Sequence, residues 1–509
     1  MSVNKLNKTR NTIRNLTSGF LENIVGLLLP FLVRTIMLQK FGEEYLGLNS
    51  VFMSIISVLN LAELGFSSSV VFSLYKPIAE NDTESICAYL AYFKKIYRNI
   101  GLLILAAGLA VMPFLRFTIH DTAIPGNLNY CVWYLFFLSE TVLSYVFFGY
   151  RFIVPTAFQR NDILHKVSIV TTFLKALLQI YALLFCNHYY AYLACSPLMT
   201  IVHHGLLAFV VKRKFPNYVP YGMISEEQKK DLHPMLAGII VSKIRAVSRN
   251  SFDSLCISAF IGLAANGIYQ NYFYIMNSVN IISSIITVSM LSGIGNSIIT
   301  DTKEKNYRDM QRFDFMYMML SGWASICMLC LYQPFMSIWR GTDHMLGMPE
   351  VIAICFYFYI LKLGDMRYAY FEGAGLWWKS RYIAVAESIC NQLLNIVLVR
   401  WIGVLGVILA TVISLILIDN VLGARLVFDY YFQNGKLGNY YSYQLKYLSV
   451  SIFLAAVSFW TCTRFSFSPL GDFASRLIIC MIIPWCGYYL FYRNSSVFAE
   501  AKQWLLSHR

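Results

Sequence analysis

The chain has 509 residues, of which 57% are hydrophobic and only 13% charged, with a mean hydropathy of +0.55. Globular domains carry about 25% charged residues, so this chain lacks the polar surface that a soluble enzyme or a disordered protein needs. The net charge of +14 comes from 41 Lys and Arg against 27 Asp and Glu; the excess is spread over loops between apolar runs, which excludes a nucleic-acid-binding patch.

A membrane-spanning helix needs about 20 mostly apolar residues. Fourteen segments qualify: 14–38, 47–75, 97–116, 128–150, 163–186, 189–211, 234–261, 266–297, 315–339, 350–375, 380–400, 403–427, 443–463 and 474–493. The first follows a basic stretch of Lys5, Lys8, Arg10 and Arg14. No small-residue cleavage site comes after it, so it reads as an uncleaved helix. With the N-terminus in the cytoplasm and the sides alternating, 28 Lys and Arg fall in cytoplasmic segments and six in outer loops. The six are Lys40, Arg116, Arg340, Arg400, Arg464 and Arg476. An error in the span count would scramble this asymmetry, and it persists to the end of the chain. The expectation is therefore a multi-pass protein with both termini cytoplasmic.

The outer loops are short. The longest non-membrane stretch is cytoplasmic, residues 212–233, with Pro216, Pro220 and a run of charge from Glu226 to Asp231. It divides the chain into helices 1–6 (1–211) and helices 7–12 (234–427), with two further helices in 428–509. The two halves repeat a glycine pattern. Gly42-Glu43-Glu44-Tyr45-Leu46-Gly47 and Gly262-Leu263-Ala264-Ala265-Asn266-Gly267 stand 220 residues apart, each at the turn between the first two helices of its half. Six helices per half keeps the two copies in the same orientation, a parallel repeat of the kind alternating-access transporters use.

Several blocks carry a family resemblance. These are Phe41-Gly42-x-x-Tyr45-Leu46-Gly47-Leu48-Asn49, Leu61-Ala62-Glu63-Leu64-Gly65 and Ser73-Leu74-Tyr75-Lys76-Pro77 in the first half. In the second they are Asn250-Ser251-Phe252-Asp253, Ser258-Ala259-Phe260-Ile261-Gly262, Gly267-Ile268-Tyr269 and Tyr370-Phe371-Glu372-Gly373-Ala374-Gly375. Over roughly residues 10–427 the chain resembles the Wzx-like oligosaccharide flippases, the polysaccharide transporters of the superfamily that also holds the multidrug (MATE) exporters and the lipid II flippase. The resemblance implies an all-α polytopic membrane protein, with two six-helix lobes around a central cavity and two appended helices. It implies a lipid-pyrophosphate-linked oligosaccharide as cargo, moved across the bacterial inner membrane for surface polysaccharide synthesis. The implied partners are that lipid-linked glycan, membrane lipid and a glycan polymerase, with H+ or Na+ as coupling ion.

Charge inside the spans marks the candidate site, because a charge at the bilayer centre is costly and normally faces the bundle interior. Arg245, Arg249 and Asp253 are spaced i, i+4, i+8 and share one helix face. Arginine suits a diphosphate, since its fork bonds phosphate oxygens in pairs; an internal ion-pair ladder is the competing reading. Lys175 has no acid at i±4, and Lys362 stands three residues from Asp365 across Gly364. Arg249, Arg245, Lys175 and Lys362 are the expected cationic cavity, with Lys175 and Arg249 facing one water-filled space. Glu63 and Glu140 are the candidates for ion coupling. His203 and His204 adjoin on a helix and point about 100° apart, so they read as interhelical polar contacts.

No metal and no cofactor are expected. The twelve cysteines lie almost wholly in apolar runs, and the sole C-x-x-C is Cys327 with Cys330; within a helix bundle they read as small apolar residues. There is no G-x-x-x-x-G-K-[ST] motif, so no P-loop hydrolyses ATP. The expectation is a non-enzymatic transporter. Two rivals share the composition: a MATE-type drug or cation antiporter, and a polytopic glycan polymerase or acyltransferase. Short outer loops and the glycine repeat count against the enzymes.

Overall fold

The computed structural model describes residues 8–60, 66–119, 128–186, 188–225, 251–376, 379–433, 435–464 and 468–507, with Val247 and Arg249 besides. Among them no strand forms. The helices, in chain order, are α1 (Lys8–Phe41), α2 (Glu43–Leu59), α3 (Phe66–Glu80), α4 (Thr83–Val111), α5 (Tyr130–Leu143), α6 (Ile153–Ala157), α7 (Asn161–Tyr181), α8 (Tyr189–Lys214), α9 (Ser251–Phe260), α10 (Leu263–Thr300), α11 (Lys303–Arg340), α12 (Met348–Leu363), α13 (Asp365–Gly373), α14 (Arg381–Ser414), α15 (Ala424–Val427), α16 (Leu437–Arg464), α17 (Pro469–Tyr492) and α18 (Ser496–Ser507). Helices satisfy every backbone N–H and C=O group within the segment, which lipid demands because no water is there to pair with them.

Ten helical segments among the described residues are long and apolar enough to cross a membrane. One, Arg381–Phe432, runs for 52 residues and bends at Ile402 and Gly403, where Gly403 takes φ 61°. Its two arms are the sequence segments 380–400 and 403–427. Residues 61–65 of the 47–75 segment lie outside the described residues, between α2, which ends at Leu59, and α3. The 350–375 segment breaks at Gly364 into α12 and α13. Most of 234–261 lies outside the described residues, as does 226–233 of the expected linker. The amphipathic α18 was not anticipated; it is too short to span, and Trp504 and Phe498 pack on Phe313 and Phe315 of α11 with ring centroids 5.4 and 6.4 Å apart.

Internal contacts divide the chain into two compact units, Met1–Gly267 and Ile268–Arg509. In the first, the block after Gly42 organises a buried aromatic cluster. Trp133 and Tyr189 lie 4.5 Å apart and Tyr45 lies 4.7 Å from Tyr189. Asn49 accepts from the Trp133 indole at 2.8 Å and donates to the Tyr189 hydroxyl at 2.6 Å. At the end of this unit that begins α7, Asp162 is fully buried. Arg14, Arg160 and Lys166 lie within 3.6, 2.7 and 3.4 Å of its carboxylate. In the second unit Tyr370, Phe428, Tyr431, Phe432 and Tyr440 form the corresponding aromatic core.

The repeated glycines have a structural explanation inside the first unit. Gly42 and Gly262 take φ 94° and 134°, a left-handed region that favours glycine, and so turn the chain into α2 and α10. Gly47 and Gly267 then allow those two helix starts to touch through their backbones. A Cβ on Gly47 would lie 2.0 Å from the Leu263 carbonyl oxygen, and one on Gly267 would lie 2.1 Å from that of Glu43. The contact is reciprocal, as the equivalence of the two positions requires. Asn266 seals it by donating to the Gly47 carbonyl at 3.1 Å and to Ser254 and Ser258 at 2.9 and 2.8 Å.

Gly47→Ala and Gly267→Ala are expected to destabilise the chain by at least the 1–3 kcal/mol of ordinary overpacking, since the obstructing atom is backbone. Gly26→Ala, with nothing within 4 Å of the added carbon, is the control. Thermal unfolding in detergent measures it, and equal melting temperatures for Gly47→Ala and Gly26→Ala would refute the close-approach role.

Candidate functional site

The first unit holds a polar cavity of about 380 Å³ among α2, α5, α7 and α8. Its wall includes Asn60, Glu140, Ser144, Thr171, Lys175 and His203. A π-type turn at Ser144–Phe148 continues α5 beside it; such turns recur at functional sites because they displace side chains from the regular helical rows. Lys175 Nζ lies 3.0 Å from Glu140 Oε1, with about a third of each side chain exposed. His203 Nδ1 meets Thr171 Oγ1 at 2.8 Å, tying α8 to α7. His165 of α7 pairs with Glu22 of α1.

Lys175, which has no acid at i±4, thus finds its acid on another helix, in Glu140. The two are 35 residues apart in sequence, beyond any i±4 test. The two residues given separate roles, cargo binding and ion coupling, share one cavity as an ion pair. Arg249 is not among the residues that line this cavity. It is buried elsewhere in the same unit, 9% exposed, and Asp253 one turn further on is 2% exposed. Arg245 and Glu63 lie outside the described residues.

In the second unit the charges form a chain of pairs. Lys362, 2% exposed, sits 2.8 Å from Asp365. Asp365 also accepts from the Tyr317 hydroxyl at 2.6 Å. Arg367, 4% exposed, reaches Asp419 at 3.4 Å and donates to the backbone carbonyls of Asp419 and Asn420, each at 3.2 Å. Those carbonyls belong to a π-helical stretch, Leu415–Gly423, where the lost i→i−4 pattern leaves oxygens to accept a guanidinium. Gly364 breaks the helix and leaves room: a Cβ there would lie 2.7 Å from the Arg367 guanidinium.

Sequence reasoning missed Asp314. It lies one residue before the assigned span 315–339, yet it is 1% exposed and accepts from Gln444 of α16. The signal was available, since four apolar or aromatic residues surround it in Phe313-Asp314-Phe315-Met316-Tyr317.

No protein-family profile and no curated protein sequence matches the chain. Solved structures do match. The chain shares the fold of the lipid II flippase and of the MATE transporters. The lipid II flippase MurJ, in its inward closed conformation, aligns at TM-score 0.66 and 15% identity, over 95% of this chain and 99% of that one. An inward-facing multidrug-resistance MATE transporter of the MOP superfamily aligns at 0.62 and 14%, over 83% and 99%. A MATE transporter from Vibrio cholerae aligns at 0.58 and 13%, over 85% and 99%.

Arg367→Ala leaves Asp419 and two carbonyls without their donor. Breaking a buried pair in this way costs about 3–5 kcal/mol. Reduced melting temperature and membrane abundance are expected, with Arg367→Lys recovering only part because the fork that reaches three oxygens is lost. A wild-type melting temperature for Arg367→Ala would show that the pair holds nothing together.

Proposed function

We propose that this protein is a flippase for lipid-pyrophosphate-linked oligosaccharide units in the bacterial inner membrane, serving synthesis of a capsule, O-antigen or exopolysaccharide. The observation that carries the reading is the extent of the fold match. A flippase of a lipid-linked precursor aligns over 95% of this chain, whereas the MATE exporters align over 83% and 85%. The sequence blocks around Gly42–Asn49 and Tyr370–Gly375 point the same way. The diphosphate of the cargo binds cationic groups, with Arg249, Arg245, Lys175 and Lys362 as candidates, while the lipid tail stays in the bilayer. Alternating access then carries the head group across.

Coupling is proposed to run through the Lys175–Glu140 pair. A cation arriving at Glu140 meets an ammonium 3.0 Å away. The ammonium repels H+ and Na+ alike, so both stay candidates for the coupling ion, and neutralising the carboxylate by either would leave Lys175 for an anionic head group. Glu63 is the further candidate. The pairing of Lys175, Lys362 and Arg367 with acids also gives a second reading some support, since a neutralised interior suits a MATE-type antiporter of cationic drugs.

The test is translocation in proteoliposomes holding the purified chain and a lipid-diphosphate-linked oligosaccharide, scored by exposure of the glycan to an added lectin. Arg249→Ala is expected to slow translocation at least tenfold at normal abundance, and Arg249→Lys to recover part of it. No translocation by wild type, with pH-driven efflux of a cationic dye instead, would replace this reading with the antiporter. Wild-type rates for Arg249→Ala would remove Arg249 from cargo binding.

Orientation is a separate expectation. In a background lacking the exposed Cys186 and Cys486, a cysteine at Asp301 should react with impermeant maleimide only from the cytoplasmic side. A cysteine at Thr342 should react only from outside. Reversal of either would break the alternation of sides on which the topology rests.

A further inference from the structure

Three cysteines meet in the second unit. Cys330 of α11, Cys462 of α16 and Cys480 of α17 are 0%, 1% and 0% exposed, and their sulfur atoms all lie within 4.8 Å of one another. They come from three different helices, separated by 132 and 18 residues in sequence, so no helical repeat brings them together. Among the described residues this is the one grouping of three or more His, Cys, Asp or Glu side chains with metal-ligand spacing.

The spacing is close to what a shared ion demands. Zinc–sulfur bonds are about 2.3 Å long, so three sulfurs around one ion in a trigonal plane stand about 4 Å apart. Closing the triangle from its present size takes less than about 1 Å of movement at each sulfur. Donors of sulfur alone select soft cations, Cu(I) and the zinc-group ions, over Mg²⁺ or Ca²⁺. A charged pair stands beside the site. Arg476 of α17 donates to the Cys330 carbonyl at 3.4 Å and is held by Asp472 at 3.0 Å. Trp323 of α11 donates to the Cys480 carbonyl at 2.9 Å, tying α17 to α11.

We propose that Cys330, Cys462 and Cys480 form a binding site for one soft, thiophilic d¹⁰ cation, which staples α16 and α17 to α11. Binding replaces three S–H bonds with three sulfur–metal bonds and releases three protons to solvent, with no change of oxidation state. A divalent ion on three thiolates leaves one net negative charge, beside the Arg476–Asp472 pair. This departs from the expectation that the cysteines act only as small apolar residues and that the chain holds no metal. It is independent of the cargo.

The test uses the full chain in detergent, kept reduced with a phosphine and stripped of metal, with Cd(II) as probe. Wild type is expected to bind one Cd(II) tightly, to show the ultraviolet sulfur-to-cadmium charge-transfer band, and to melt at a higher temperature when loaded. Cys330→Ser, Cys462→Ser and Cys480→Ser should each weaken binding at least tenfold and abolish the melting shift. Cys327→Ser, three residues from Cys330 on α11, should do neither. X-ray absorption of wild type loaded with half an equivalent of Cd(II) needs no variant, and three sulfur neighbours are expected. Oxygen and nitrogen neighbours only, or equal affinity in wild type and the triple serine variant, would overturn the proposal.

Discussion

An ionised side chain in hydrocarbon must find a partner of opposite charge, a cluster of dipoles or water, because the bilayer supplies none of them. Much of the arrangement of this molecule follows from that demand. Lys175 reaches across from α7 to Glu140 of α5, and Lys362 turns to Asp365. Arg367 takes two backbone carbonyls along with a carboxylate. Two of these lie beside departures from regular helix: Gly364 breaks the helix between Lys362 and Asp365, and the π-type stretch at Leu415–Gly423 supplies the carbonyls that Arg367 uses.

The same solvent explains why glycine decides where helices meet. Lipid tails are as apolar as leucine, so helix association gains little from burial alone and depends on close packing and polar contacts. Gly47 and Gly267 bring the starts of α2 and α10 into backbone contact, and Asn266 with Ser254 and Ser258 supplies the polar seal. A larger residue at either glycine would push the two helices apart and break the hydrogen bond to the Gly47 carbonyl. The duplicated motif therefore marks a duplicated packing surface, which turns a sequence coincidence into a physical requirement.

The ion pair and the packing surface bear on function in different ways. A transporter must hold neither end state too tightly, since a strongly favoured state stalls the cycle. The Lys175–Glu140 pair is about a third exposed and lines a polar cavity of about 380 Å³. The Arg367 cluster, almost fully buried and held by three oxygens, suits a fixed strut. Exposure thus separates the two pairs, within a fold shared with flippases and exporters.

The sequence alone was enough for the membrane class, the helical architecture and most span positions. Those depend on composition and on runs of apolar residues, properties that are additive along the chain. It also exposed the glycine repeat, because identical residues at a fixed offset can be seen without coordinates. Partners were not legible. The i±4 rule finds pairs on one helix, and so it found Lys362 with Asp365; it is blind to Lys175 with Glu140, or to Asp314 with Gln444 130 residues away. Helix breaks were half visible: Gly364 and Gly403 are punctuation in the sequence, but whether a glycine bends a helix depends on what packs against it. The cysteines are the extreme case. Read singly, each is a small apolar residue, and only the packing of α11, α16 and α17 sets three sulfurs within 4.8 Å of one another, since proximity between distant residues is a property of the tertiary fold and not of any one segment.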